Sequence, residues 1–146
     1  MEINGLPAHV LLVHLVVVLL PLTSVAAVLV SAWPAAQRKL TFLVPLGAVI
    51  GAIAVPITTR AGNDLAAKLG NPPFIKQHQD YGDKVLPWAV ALAVTTLAQW
   101  LYLRRGGATT GPRIALAVLV IASAIGTATI VALTGDSGAR AVWGSR

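Results

Sequence analysis

The chain has 146 residues, of which 56% are hydrophobic and only 11% are charged. Soluble domains carry about 25% charged residues, so this composition excludes an ordinary soluble domain and indicates a membrane protein. The net charge of +6 does not point to nucleic acid, because the basic residues are few and mostly flank apolar runs. The absence of cysteine excludes disulfides, thiolate metal sites and a thiol nucleophile.

Four apolar runs follow one another along the chain. A helix that crosses a bilayer needs about 20 apolar residues, and each run is free of Asp, Glu, Lys and Arg through its centre. We predict an all-α fold, an integral membrane four-helix bundle that forms a single domain over residues 1–146. The predicted spans cover approximately residues 7–32, 40–57, 85–103 and 112–134.

The connectors at residues 33–39 and 104–113 decide the predicted orientation. They contain basic residues and no acids: Arg38, Lys39, Arg104, Arg105 and Arg113. The positive-inside rule gives most weight to short loops. Both connectors are therefore predicted to be cytoplasmic, with both termini on the outer side of a multi-pass protein in the cell membrane.

Small residues within the spans predict where the helices approach one another. Gly47 and Gly51 lie four residues apart in the second span, and Ala122 and Gly126 have the same spacing in the fourth. Lipid provides no hydrophobic driving force for helix association, so the helices associate through close van der Waals packing. Small residues allow the backbones to approach closely enough for it. This pattern favours packing within the bundle. A seam between two copies through Gly47 and Gly51 is the alternative.

The segment at residues 59–84 is predicted to join the second and third spans outside the membrane. Its first part, "RAGNDLAAKL", can continue the second helix, and "GNPP" then breaks it. Proline suits the first position of a helix, so a new helix is expected near Pro73. At the helical period, His78 shares a face with Val85 and Ala89 and is expected to point at the bundle. Further along, Gly135 is predicted to end the fourth helix.

Three histidines are predicted to gather in the outer half of the bundle. His9 and His14 are five residues apart, which is roughly 140° of rotation on an ideal helix, so they do not share a face. His78 approaches from the third span. A polar cluster is expected around the three rings: Arg60, Asn63, Asp64, Tyr81 and Asp136.

Ionisable side chains are costly to place within a membrane protein, so their presence suggests a function. A haem b between two spans takes one axial histidine from each of two facing helices, which suggests His14 with His78 and His9 as the substitute for His14. A proton or small-solute pathway through His14, Asp64 and Arg60 is the other alternative. HExxH, GxSxG, P-loop and GxGxxG motifs are all absent from the sequence, so no catalytic or separate metal-binding residue is predicted.

Three stretches carry a family resemblance: "INGLPAHVLLVHLVVVLLPL", "HQDYGDKVLPWAVAL" and "TGDSGARAVWG". Over nearly its whole length the chain resembles a bacterial family of small predicted membrane proteins of unknown function. Members typically begin Gly-x-Pro-x-His-Pro, followed by Val-His-Phe-Pro. The resemblance implies a four-helix membrane domain and matches His9, His14 and His78 to the recurring histidines. Relatives occur fused to Rieske-type iron–sulfur domains, which implies a membrane redox partner.

The chain departs from the family pattern at several positions. Val10 stands where proline is usual, Leu15 and Val16 stand where Phe-Pro is usual, and Asp136 stands where many relatives have histidine. The function predicted first is therefore a non-catalytic accessory or anchoring module of a membrane complex. The haem b redox protein and the solute or proton pathway remain the two alternatives.

Overall fold

The computed structural model describes the backbone of residues 2–3 and 6–144 and the side chains of residues 9–144. Two short antiparallel strands, β1 (Glu2–Ile3) and β2 (Leu6–Pro7), precede the first helix. The helices of the described part are α1 (Ala8–Ala32), α2 (Pro34–Leu40), α3 (Leu43–Lys68), α4 (Lys76–Arg104) and α5 (Thr110–Trp143). A 3-10 turn at Pro73–Ile75 leads into α4. Apart from the terminal strand pair, the predicted all-α fold is confirmed.

The four long helices are long and apolar enough to cross a membrane, and they overlap the four predicted spans. Only 33–39% of the most apolar window of each helix is buried inside the protein. Valine, leucine and isoleucine side chains therefore cover the outer faces, such as Val18 at 63% exposed and Val94 at 60%. A soluble protein does not expose apolar area on this scale, so these faces are suited to lipid.

Small residues fill the contacts between helices. Ala27, Ala48 and Ala89 are fully buried, which allows the close approach expected in lipid. A Cβ on Gly51 would lie 2.3 Å from Leu20 Cδ2, so this glycine packs α3 against α1. Gly47 faces α1 in the same way. Both glycines thus serve packing within the chain, and a dimer seam through them stays a prediction.

The turn between α3 and α4 follows the predicted break. Gly70 and Asn71 have φ angles of +78° and +50°, and the Asn71 amide donates a 2.9 Å hydrogen bond to the Ala66 carbonyl. This left-handed ending closes α3, and Pro72 and the 3-10 turn then lead into α4. As predicted, helical structure covers most of residues 59–84.

The predicted end of the last helix at Gly135 is wrong, because α5 continues to Trp143. Asp136 and Arg140 form an i,i+4 ion pair of 2.8 Å on the exposed side of the extension. Ser137 Oγ also donates a hydrogen bond to the Thr134 carbonyl of the same helix. These local bonds support helix beyond a glycine that the sequence alone marks as a stop.

The four long helices form a ring in which α1 and α4 are diagonal neighbours, each packed on both α3 and α5. We call the end where α1 and α4 begin, and α3 and α5 finish, the histidine end. The other end, with the connectors at residues 33–42 and 105–109, is the basic end. Near the basic end, Gln99 donates a 3.0 Å hydrogen bond to Ser31 Oγ and so ties α4 to α1.

Candidate functional site

His9 lies in the first turn of α1, half-buried against α3. Its Nδ1 is 3.0 Å from the main-chain carbonyl oxygen of Thr58. A carbonyl oxygen can only accept a hydrogen bond, so Nδ1 must carry the proton. In the neutral ring this leaves Nε2 with a free lone pair, which is the form that binds a metal.

His78, on the opposite side of the ring of helices, also bonds to a main-chain carbonyl of a neighbouring helix. It lies in the first turn of α4, and its Nδ1 is 2.9 Å from the carbonyl oxygen of Thr134 in α5. The same reasoning assigns the proton to Nδ1 and the lone pair to Nε2. Within residues 9–144, neither Nε2 atom has a hydrogen-bond partner. Two imidazole lone pairs are thus left available for a ligand.

The two imidazole rings meet at the centre of the histidine end. Their centroids are 6.3 Å apart and their planes are inclined by 79°. The rings belong to diagonal helices, so a group between them would be enclosed by all four long helices. This contact was not foreseen from the sequence, which paired His14 with His78 and kept His9 as the substitute.

A cavity of about 640 Å³ opens around the paired rings. This volume lies within the range of roughly 300–1,000 Å³ that is typical of cofactor sites. Apolar side chains such as Val16, Val85 and Val131 form most of its wall. Polar residues also line it, among them Asn63, Gln79 and Asp83, and Asn63 and Asp83 are exposed. The cavity suits a ligand that is mainly apolar and has a polar edge.

His14 lines the same cavity but is exposed, and its Nδ1 bonds to the carbonyl of Val10 in its own helix. Its hydrogen bond therefore fixes it to α1 alone, whereas His9 and His78 are each held by a second helix. The pairing of His14 with His78 stays a prediction. Among residues 9–144, the ring that contacts His78 is His9.

The predicted polar cluster divides between the cavity and the surface. Asn63 lines the cavity, and Tyr81 is half-buried against the apolar core with Lys84 Nζ 5.6 Å from its ring centroid. Arg60 and Asp64 are exposed on α3. Asp136 is exposed and pairs with Arg140. Only part of the cluster therefore surrounds the histidines.

The ligand set restricts which metal centre the site can hold. Within the described residues, no group of three or more His, Cys, Asp or Glu side chains could bind a metal ion. Structural zinc sites need four protein ligands and catalytic ones three, so two histidines fall short of both. Haem iron needs only two axial ligands from the protein, because the porphyrin supplies the other four nitrogens.

Four residues of the site were missed from the sequence: Thr58, Gly62, Thr134 and Gly138. A Cβ on Gly62 would lie 2.9 Å from His9 Nδ1, and one on Gly138 would lie 3.0 Å from His78 Nδ1. The signal for them is a shared pattern, Thr-x-x-x-Gly, in "TTRAG" and in "TGDSG".

The fold and the site define a helical membrane protein with four candidate spans and a histidine-centred cavity near one end. The chain belongs to the family described as predicted membrane protein (DUF2231), whose model matches residues 5–146. This confirms the family resemblance and the membrane class. No curated protein and no solved structure matches the chain.

Proposed function

We propose that the protein binds haem b at the histidine end, with His9 and His78 as the two axial ligands. The separation of the rings carries the proposal. A metal–imidazole bond of about 2 Å on each side, plus about 1 Å from each bonding nitrogen to its ring centre, gives about 6 Å between centroids. The observed separation is 6.3 Å. The centroid separation is therefore consistent with one metal atom between the rings.

The hydrogen bonds to Thr58 and Thr134 support this role. A histidine that ligates a metal almost always donates its other ring proton to a carbonyl or carboxylate, which fixes the tautomer and raises the basicity of the ligand nitrogen. Both carbonyl contacts are present, at 3.0 Å and 2.9 Å. His14 makes such a contact only within its own helix, so its orientation is not tied to a second helix.

Two axial histidines favour electron transfer over oxygen chemistry. A haem iron held by His9 and His78 would have no open position for oxygen, and it would supply one-electron redox chemistry. The donor would be a one-electron reductant outside this chain. A Rieske-type iron–sulfur protein, which the family resemblance implied as a partner, belongs to that chemical class. A role as accessory or anchoring module of a redox complex is compatible with this function and stays a prediction.

A solute or proton pathway has less support. The middle of the bundle and its basic end are closed by side chains that are fully buried, including Ala27, Ala48, Leu92 and Val120. Several polar side chains there bond to one another or to helix carbonyls: Thr95 Oγ1, for example, is 2.9 Å from Ser123 Oγ. Ser24 Oγ is buried without a hydrogen-bond partner among the described residues. No continuous row of free polar groups leads from the cavity to the basic end among the described residues.

Haem titration tests the proposal. The protein is purified in detergent and titrated with ferric haem, and the optical spectrum is recorded before and after dithionite. We expect saturation at one haem per chain, with the sharp bands of six-coordinate low-spin iron in both oxidation states. Copper and zinc salts serve as parallel probes, because two imidazoles could also hold a bare ion. Absence of saturable haem binding, or saturable binding of copper alone, would contradict the proposal.

The proposed orientation places the histidine end outside the cell and the basic end in the cytoplasm. Since the chain has no cysteine, single cysteines report the sides cleanly. Gln77→Cys and Ala108→Cys are suitable, because both positions are exposed, at the histidine end and the basic end respectively. An impermeant thiol reagent is expected to label Gln77→Cys in intact cells and Ala108→Cys only after lysis. The opposite labelling pattern would reverse the assigned sides.

A further inference from the structure

We infer that the chain is a tandem duplication, and that Gly62 and Gly138 are equivalent positioning residues that orient the two ligand histidines. Each half supplies one histidine, one threonine carbonyl and one glycine to the same site. The duplication is argued from burial, helix contacts and residue identities, and it does not depend on the proposed function. The effect of the glycines on haem rests on the proposed function.

The first observation is the pattern of burial in α1 and α4. Shifting α1 along the chain by the interval between His9 and His78 superimposes every buried residue of α1 on a buried residue of α4. The equivalent pairs are Val16/Val85, Leu20/Ala89, Thr23/Leu92, Ser24/Ala93, Ala27/Thr96 and Val30/Gln99. Buried residues recur every three or four positions in any bundle helix, so the match is informative because the same shift also aligns the two histidines.

The second observation links α2 and α3 to α5. At the interval between Thr58 and Thr134, the first residue of α2, Pro34, corresponds to the first residue of α5, Thr110. Seven positions of α3 and α5 are then identical: Leu43/Leu119, Val44/Val120, Ala48/Ala124, Ala52/Ala128, Val55/Val131, Thr58/Thr134 and Gly62/Gly138. Identity at both the threonine and the glycine of the site places the ligand-orienting residues inside the repeat.

The halves are arranged around a pseudo-twofold axis that runs along the bundle. α1 packs on α3 and α5, and α4 packs on the same two helices, so exchanging the halves maps each contact onto an equivalent one. Both halves begin at the histidine end, which makes them parallel repeats. His9 and His78 are equivalent residues in mutual contact, and a contact between equivalent residues lies on the axis.

The glycines explain how each imidazole reaches a carbonyl that is already part of a helix. The carbonyl of a helical residue lies beside the residue four positions later, and in both halves that later residue is glycine. A Cβ there would lie 2.9 Å from the Nδ1 of His9, or 3.0 Å from that of His78, too close for the ring to keep its position. Glycine therefore opens the carbonyl to the ring.

The position of the histidine pair on this axis also limits which kinds of ligand fit between the rings. Equivalent residues, such as Val16 and Val85 or Val55 and Val131, line the cavity in pairs. A ligand between the histidines consequently meets matching surroundings on its two faces. A planar macrocycle with a central metal has two equivalent faces, as haem does.

The test compares Gly62→Ala and Gly138→Ala with Gly111→Ala as the control. Gly111 lies in α5 at the basic end, away from the cavity, and a Cβ there would meet nothing within 4 Å. The first readout needs no haem: nitrogen NMR of protein labelled with 15N-histidine reports the tautomer and hydrogen bonding of each ring. We expect Gly62→Ala to shift the His9 signals, Gly138→Ala to shift the His78 signals, and Gly111→Ala to shift neither.

The second readout is haem affinity. Removal of a partner that orients a ligand typically lowers metal affinity by about 10–100-fold, and we expect losses of that size from both glycine variants, equal within about threefold. Unchanged histidine signals in both variants would overturn the inference. Shifted signals in a protein that never binds haem would instead support the inference and contradict the proposed function.

Discussion

Replacing His9 or His78 with alanine is expected to abolish the six-coordinate low-spin spectrum of the haem complex. Each substitution removes one of the two axial nitrogens, so the iron becomes five-coordinate and high-spin. The double variant is expected to lose saturable binding, because only the apolar wall of the cavity then holds the macrocycle. Optical spectra of the purified variants, titrated with haem, measure both effects.

His14→Ala is the matched control for these variants. His14 lies on the same helix and lines the same cavity, but its ring is exposed and bonded to its own helix. We expect it to leave the low-spin spectrum unchanged. A low-spin spectrum that survives in His9→Ala but is lost in His14→Ala would show that His14 is the ligand, as the sequence alone suggested. Retention of the low-spin spectrum in His78→Ala would exclude His78 as an axial ligand.

Leu20→Ala is expected to lower the free energy of unfolding by about 2 kcal/mol. Leu20 is fully buried at the contact with Gly51, so truncation leaves a cavity between α1 and α3. Leu→Ala substitutions in soluble cores cost about 2–5 kcal/mol. We expect the lower end here, since lipid is as apolar as leucine and only packing is lost. Denaturant unfolding in mixed detergent micelles measures the difference.

Leu22→Ala is the control for this truncation. Leu22 lies two residues further along α1 and is 64% exposed on the outer face. It loses surface that faces lipid or detergent in the folded protein, so a change within about 0.5 kcal/mol is expected. Equal destabilisation by the two substitutions would contradict the packing of α1 on α3 described above.

The helices of this protein are readable from its sequence, because each is an apolar run of spanning length. The break at Gly70 and Asn71 is equally readable, since glycine and asparagine tolerate the left-handed backbone that ends α3. The inward direction of His78 also followed from its helical period with Val85 and Ala89, both buried. These features depend on local sequence and on one helix at a time.

The pairing of His9 with His78 could not be obtained in that way. Which histidines meet depends on which helices are diagonal in the ring, and hydropathy along one chain does not contain that information. His9 is near the start of α1, where an interfacial position was equally reasonable from sequence. Its approach to Thr58 requires Gly62, which lies on another helix. The Thr-x-x-x-Gly pattern shared by α3 and α5 marks the two carbonyls, but it does not show which histidines reach them.

The most direct test of the histidine pair is electron paramagnetic resonance of the ferric protein loaded with one equivalent of haem. The imidazole planes are inclined by 79°. Two imidazoles that kept this angle on a haem iron would interact almost equally with two of its d orbitals, which would leave those orbitals close in energy. This predicts one low-spin ferric species with a strongly anisotropic signal, lost when either His9 or His78 is replaced by alanine. A purely high-spin signal from the wild-type complex would contradict ligation by the two rings.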